Sequence, residues 1–207
     1  MDMLGAIETL ILAFTIGLTG ALAPGPTLVA TINSSLQRGW TVGPKVATGH
    51  AIAEMGVFLM IALGVATLVE DHTATVAVVG GSALILFGLL TLKGSRTATM
   101  KISQGDTASN PYMAGALTSV ANPYFWIWWM SIGSALVLAE LREGLLLAMI
   151  FMIGHWGADY GWYTFVSTSL HRGRTFLSEA NYRRVLALCG AFLVLFGASY
   201  LSGAWSA

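Results

Sequence analysis

Two pairs of side chains stand out because they sit in apolar stretches that should exclude them. His50 and Glu54 lie in one stretch, His155 and Asp159 in another, each pair a histidine with a carboxylate four residues on. On a helix this spacing puts both groups on one face, within reach of a hydrogen bond. A charged side chain at the centre of a membrane span costs about 2.5–3.5 kcal/mol even on the mildest scale, so Glu54 and Asp159 are expected to face the interior of a bundle or a wet cavity. Three kinds of chemistry suit them: proton coupling, a seat for a substrate ammonium, or a structural hydrogen bond between helices. Two histidines with two carboxylates could also ligate zinc or manganese, although no thiolate, third histidine or HExxH string joins them. Neither a Ser/His/Asp elbow nor a phosphate-binding loop is present, so neither an enzyme nor a cofactor is expected.

The elements holding these groups are membrane spans. Of 207 residues, 56% are apolar and 10% charged, and the mean hydropathy is +0.72, whereas a soluble domain carries about 25% charged residues. A formal net charge of zero argues against a nucleic-acid partner. Cys189 is the only cysteine, which excludes an internal disulfide or a redox pair. Runs without charge extend from Glu8 to Arg38, Asp71 to Lys93, Asp106 to Glu140 and Arg184 to the C-terminus; the stretches Val46 to Val69 and Gly144 to Leu170 carry one acid each. All six can supply the 20 or so residues that cross a bilayer. The first run is expected to remain in the protein, because Asp2 and Glu8 stand where a secretory signal has basic residues.

Ordered matches join the two halves. The segment 49–54 (GHAIAE) matches 154–159 (GHWGAD), 81–88 (GSALILFG) matches 190–197 (GAFLVLFG), and Leu18-Thr19 before Pro24 answers Leu117-Thr118 before Pro123. Three spans per unit forces the second unit to insert upside down, the inverted-repeat plan of secondary transporters. The expected fold is therefore an all-α membrane protein: six transmembrane helices as two inverted three-helix repeats, with broken first and fourth helices. It forms a single transmembrane transporter domain over 1–207, with repeat one at about 4–93, a link over 94–110 and repeat two at about 111–204.

The breaks fall at Pro24-Gly25-Pro26 and at Asn122-Pro123. Proline removes a donor and clashes with the preceding turn, so each helix should stop and restart. Asn122 is suited to the N-cap and Pro123 to the first helical position, with Pro26 in that role in the first span. Free N–H groups near Thr27 and Asn122 would then cradle a substrate carboxylate. Phe125, Trp128 and Trp129 share a helical face that could stack on a cation or an apolar side chain. Gly157 and Gly161 form a GxxxG string that allows close packing within the chain or in a homo-oligomer.

This order of motifs, Ala-Pro-Gly-Pro, a Gly-rich second span, Asn-Pro-aromatic, GHxxxD and the connection His171-Arg172-Gly173-Arg174, resembles the LysE superfamily of amino-acid exporters over essentially the full length. The resemblance implies a six-helix exporter in the prokaryotic cell membrane, driven by the proton motive force, that moves amino acids or similar small metabolites; related branches move metal cations. Many amino-acid-exporting members carry an Asp after the glycine matching Gly49, where this chain has His50, which makes Glu54 the candidate for the displaced carboxylate. The expected substrate site is thus Pro24, Gly25, Pro26, Thr27, His50, Glu54, Asn122, Pro123, His155 and Asp159. The alternative is a divalent metal exporter using His50, Glu54, His155 and Asp159.

Nine of the ten Lys and Arg fall in the first, third and fifth connections and only Arg142 on the other side, which places both termini outside the cytoplasm. Cysteines introduced at Ser103 and Ser206 are expected to react with an impermeant thiol reagent from opposite faces, Ser103 from the cytoplasm; labelling of both from one face would contradict the six-span reading.

Overall fold

The computed structural model describes residues 3–64, 73–98, 110–173 and 178–205. The acidic residues Asp2, Glu70 and Asp71, the bases Lys101 and Arg174, and the labelling sites Ser103 and Ser206 lie outside them. The described residues are all-helical: α1 Met3–Ala21, α2 Pro26–Arg38, α3 Val42–Ala62, α4 Thr73–Ser95, α5 Pro111–Val120, α6 Pro123–Glu143, α7 Leu145–Gly173 and α8 Glu179–Trp205. Four of them, α1, α3, α6 and the Glu179–Ser199 part of α8, are long and apolar enough to cross a membrane by themselves. At 29 residues α7 is longer still, but His155, Asp159 and Ser167 interrupt its apolar run.

Both expected breaks are present, and their chemistry is local. Leu22 and Ala23 close the last turn of α1, Gly25 is extended, and Pro26 opens α2 at its first position. In the second break the Asn122 side-chain oxygen accepts from the Tyr124 N–H at 3.1 Å, with Pro123 as first residue of α6. One feature had no sequence signal: α6 passes through a π turn at Trp129–Gly133, an extra-residue bulge of the kind that often marks functional segments.

Close backbone contacts through glycine fix the packing. A Cβ on Gly49 would collide with the Tyr112 carbonyl oxygen, and one on Gly115 with that of Val46, so α3 and α5 touch backbone to backbone. At the α1–α7 crossing a Cβ on Gly154 would stand 2.6 Å from the Leu10 oxygen, and one on Gly17 would stand 2.9 Å from His155 Nδ1. The repeated octapeptides form the α4–α8 crossing: Gly88 opposes Gly190 and Gly81 opposes Gly197, each too close to the other's carbonyl for a side chain. Gly157 and Gly161, by contrast, make no tight crossing. A Cβ on Gly161 would meet nothing within 4 Å among the described residues, so of the two arrangements the string allows, close packing inside the chain is not the one seen there.

The ends of the bundle differ. The contact of Gly39 with His171, the bond from Ser167 Oγ to the Trp40 carbonyl and the bond from Arg183 Nε to the Ala98 carbonyl gather Arg38, Arg96, Arg172, Arg183 and Arg184 at one end. At the other, Thr9 Oγ1 donates to Glu140 Oε2 at 3.3 Å, beside the turn at Gly144 (φ +141°) and Arg142. The core on the Glu140 side is apolar and bulky, with Phe58, Ile61, Trp129, Phe151 and Met152 buried together.

Gly49→Val and Gly115→Val are expected to separate α3 from α5 and destabilise the fold by about 1–3 kcal/mol, the usual cost of overpacking. Gly161→Ala should leave stability unchanged. Thermal unfolding in detergent, followed by loss of the monodisperse species, checks both.

Candidate functional site

The glycine crossings decide where the unusual polar groups go. Contact of α3 with α5 brings His50 Nδ1 to 2.5 Å from Ser119 Oγ, and Ser119 Oγ in turn donates to the Gly115 carbonyl at 2.6 Å. Contact of α1 with α7 turns His155 and Asp159 inward beside Gly17 and Ala158. All four groups meet. Glu54 and Asp159 are each 1% exposed and His155 2%, so none of the three lies in lipid.

Along its own helix His50 Nε2 lies 3.1 Å from Glu54 Oε1, whereas His155 Nε2 only approaches Asp159 Oδ2 to 3.5 Å without a hydrogen bond. The shortest contact, however, crosses between the halves: His155 Nε2 lies 2.9 Å from Glu54 Oε1. A second crossing contact puts His50 Nε2 3.7 Å from Asp159 Oδ1. Trp129 Nε1 donates to the same Glu54 oxygen at 3.3 Å. One carboxylate oxygen therefore receives groups from α3, α6 and α7. Glu54 Oε2 and Asp159 Oδ2 have no hydrogen-bond partner among the described residues, which leaves acceptor capacity on both acids.

Three rings enclose His155. Trp128 is tilted over it at 4.8 Å between centroids, Trp129 meets it edge-on at 5.2 Å, and Phe151 is stacked at 6.3 Å. Phe125 and Tyr163 stand edge-on to His50 at 5.6 and 5.9 Å. Such rings lower the polarity around the two histidines and so strengthen their contacts with the acids.

The two helix breaks lie beside this cluster. A Cβ on Gly25 would stand 3.2 Å from Asn122 Nδ2. Tyr124 Oη donates to the Thr19 carbonyl at 3.1 Å and Trp128 Nε1 to Thr19 Oγ1 at 3.3 Å, which ties α1 to α6. Thr118 Oγ1 and Thr27 Oγ1 are 3.1 Å apart, which ties α5 to α2. Between breaks and cluster is a cavity of about 40 Å³, room for about three water molecules.

Of the site residues expected from sequence, Gly25, Thr27, His50, Glu54, Asn122, His155 and Asp159 line this cavity. Pro24, Pro26 and Pro123 do not; they end and restart the helices. Trp129, Ser119 and Tyr163 were not singled out as site residues. The shared face of Phe125, Trp128 and Trp129 was a partial signal for the first, whereas Ser119 and Tyr163 are defined only by which helices touch.

No curated protein and no solved structure matches the chain. The family model described as LysE type translocator matches residues 18–203, a range that includes both breaks and both histidine–acid pairs. With that match and its long apolar helices, this multi-pass membrane transporter of a small molecule belongs to the LysE type translocator family.

Proposed function

We propose that the chain exports amino acids or closely related small zwitterionic metabolites across the prokaryotic cell membrane, as a secondary transporter driven by the proton motive force. The observation that carries this reading is the pairing of opposite binding chemistries in one cavity. At one side stand Glu54 and Asp159, each with an oxygen free of hydrogen bonds among the described residues. At the other stand the N-terminus of the 13-residue α2 and the amide of Asn122, which is 7% exposed. Carboxylates favour an ammonium, and a helix start favours a carboxylate. An amino acid presents both. Such a substrate is moved and not transformed, so no enzymatic role is assigned.

Alternating access in this reading comes from two inverted three-helix units, about 4–93 and 111–204, joined by a link over 94–110. Six spans result when α4 and α7 are added to the four strongly apolar helices, with α1–α2 and α5–α6 each counted as one broken span. The reciprocal glycine contacts of α4 with α8 support an inverted relation, as does the similarity of the α1–α7 crossing to the α5–α3 crossing. In this reading, loading and release are coupled to movement of the helices around the breaks. Both termini would lie outside the cytoplasm, following the basic residues.

A divalent metal cargo is the second reading, and one observation favours it: His50, Glu54 and Asp159 offer ligand atoms that all lie within 4.8 Å of one another.

Counterflow of labelled amino acids in proteoliposomes, with a pH-sensitive dye inside, tests the proposal against this alternative. A charge-assisted hydrogen bond contributes about 1.5–3 kcal/mol, so Glu54→Gln and Asp159→Asn are each expected to weaken amino-acid counterflow about tenfold or more, with no effect of chelators on the wild type. Vesicle uptake of manganese, zinc or cadmium that is abolished by substituting either acid or either histidine, with no amino-acid counterflow, would establish the metal reading instead.

A further inference from the structure

The helix α2 is unusual for one that runs from the middle of a membrane protein towards its basic end. Thr27, Thr31 and Ser35 recur every four residues and so share one face, and they are 4%, 0% and 1% exposed. A separate face, Leu28, Ile32 and Leu36, supplies the apolar contact with Tyr182, Leu186 and Cys189 of α8 and with Val166 and Leu170 of α7. Apolar packing therefore does not explain the hydroxyl face. Thr27 lines the cavity and bonds Thr118 of α5. Thr31 turns its hydroxyl back to the Thr27 carbonyl at 2.8 Å. Ser35 Oγ has no partner among the described residues, although it is almost wholly buried. An unpaired buried hydroxyl is unfavourable, and alanine would fill the same place without that cost.

Among the described residues the opposite side of the cavity shows no such track. There the face of α6 carries Phe125, Trp128 and Trp129, 5%, 4% and 1% exposed, and continues into Phe58, Ile61, Phe151 and Met152. Large apolar side chains close the Glu140 side, while hydroxyls mark the Arg38 side.

We propose that the Thr27–Thr31–Ser35 face of α2 is the translocation path between the basic end of the bundle and the cavity, along which a small polar cargo exchanges its hydration for hydroxyl contacts. At 1.5 Å per residue the three hydroxyls cover about 12 Å along the helix axis, close to half the thickness of a bilayer core. This path rests on the transporter reading above and holds for either cargo.

Thiol accessibility tests it without reference to what is carried. Ser35→Cys and Thr31→Cys, each made in the full chain and reconstituted, are treated with 2-sulfonatoethyl methanethiosulfonate from the side that carries the basic connections. The wild type, whose only cysteine is the buried Cys189, sets the background, and Ile32→Cys samples the apolar face of the same turns. Labelling of both stripe positions at least tenfold faster than Ile32→Cys is expected, with Ser35→Leu slowing counterflow at least tenfold and Ile32→Leu leaving it unchanged. If Ser35→Cys does not fold, Thr31→Cys alone decides the labelling. Stripe positions that react no faster than Ile32→Cys overturn the path, even if amino-acid counterflow is robust. Fast labelling with no amino-acid counterflow leaves the path standing and removes the amino-acid cargo.

Discussion

A single carboxylate oxygen organises the centre of this protein. Glu54 Oε1 lies 2.9 Å from His155 Nε2, 3.1 Å from His50 Nε2 and 3.3 Å from Trp129 Nε1. A charge this deep is costly unless it is hydrogen-bonded, and breaking a buried pair by removing one partner typically costs about 3–5 kcal/mol. The helices that supply the partners are consequently not free to drift. Three neighbours on α3, α6 and α7 bind α3, from the first half of the chain, to two helices of the second.

The glycine crossings are conditions for that meeting and not independent ornaments. His50 can reach Ser119 because Gly49 and Gly115 let α3 and α5 touch at the backbone. His155 faces the cluster across Gly17, where any side chain would stand against its ring. The rings of Trp128, Trp129 and Phe151 then surround His155 with apolar groups, which raises both the strength of its contact with Glu54 and the cost of losing it. Where the π turn at Trp129–Gly133 begins, Trp129 is directed at Glu54. The same compactness leaves a cavity of about 40 Å³ beside the breaks, and in the proposed cycle binding and helix movement are coupled.

Much of this was legible before the structure. Proline and asparagine at 24–26 and 122–123 act through local backbone chemistry, and both breaks and the Asn122 cap are where the sequence put them. The four polar groups were visible because each is out of place in an apolar run. Their cross-pairing was not visible: a spacing of four residues relates groups on one helix and says nothing of which helix faces it. Ser119 illustrates the same limit, being one hydroxyl among many until the α3–α5 contact selects it. The Gly157–Gly161 string shows the same limit, since small residues permit close packing without requiring it: among the described residues a Cβ on Gly161 would meet nothing within 4 Å. Spans were harder to read than breaks. In α7 the groups that belong to the cluster also dilute the apolar signal, so this helix, though long, is not among those apolar enough to cross a membrane by themselves.

The central claim is that Glu54 and His155 join the two halves through one buried contact. A double-mutant cycle on thermal stability in detergent, with Glu54→Gln, His155→Gln and the double variant, measures it most directly. The account predicts strong non-additivity, the double variant being no less stable than the worse single variant, because each single change strands the other partner. Additive losses, the sign of residues that do not interact, would contradict it.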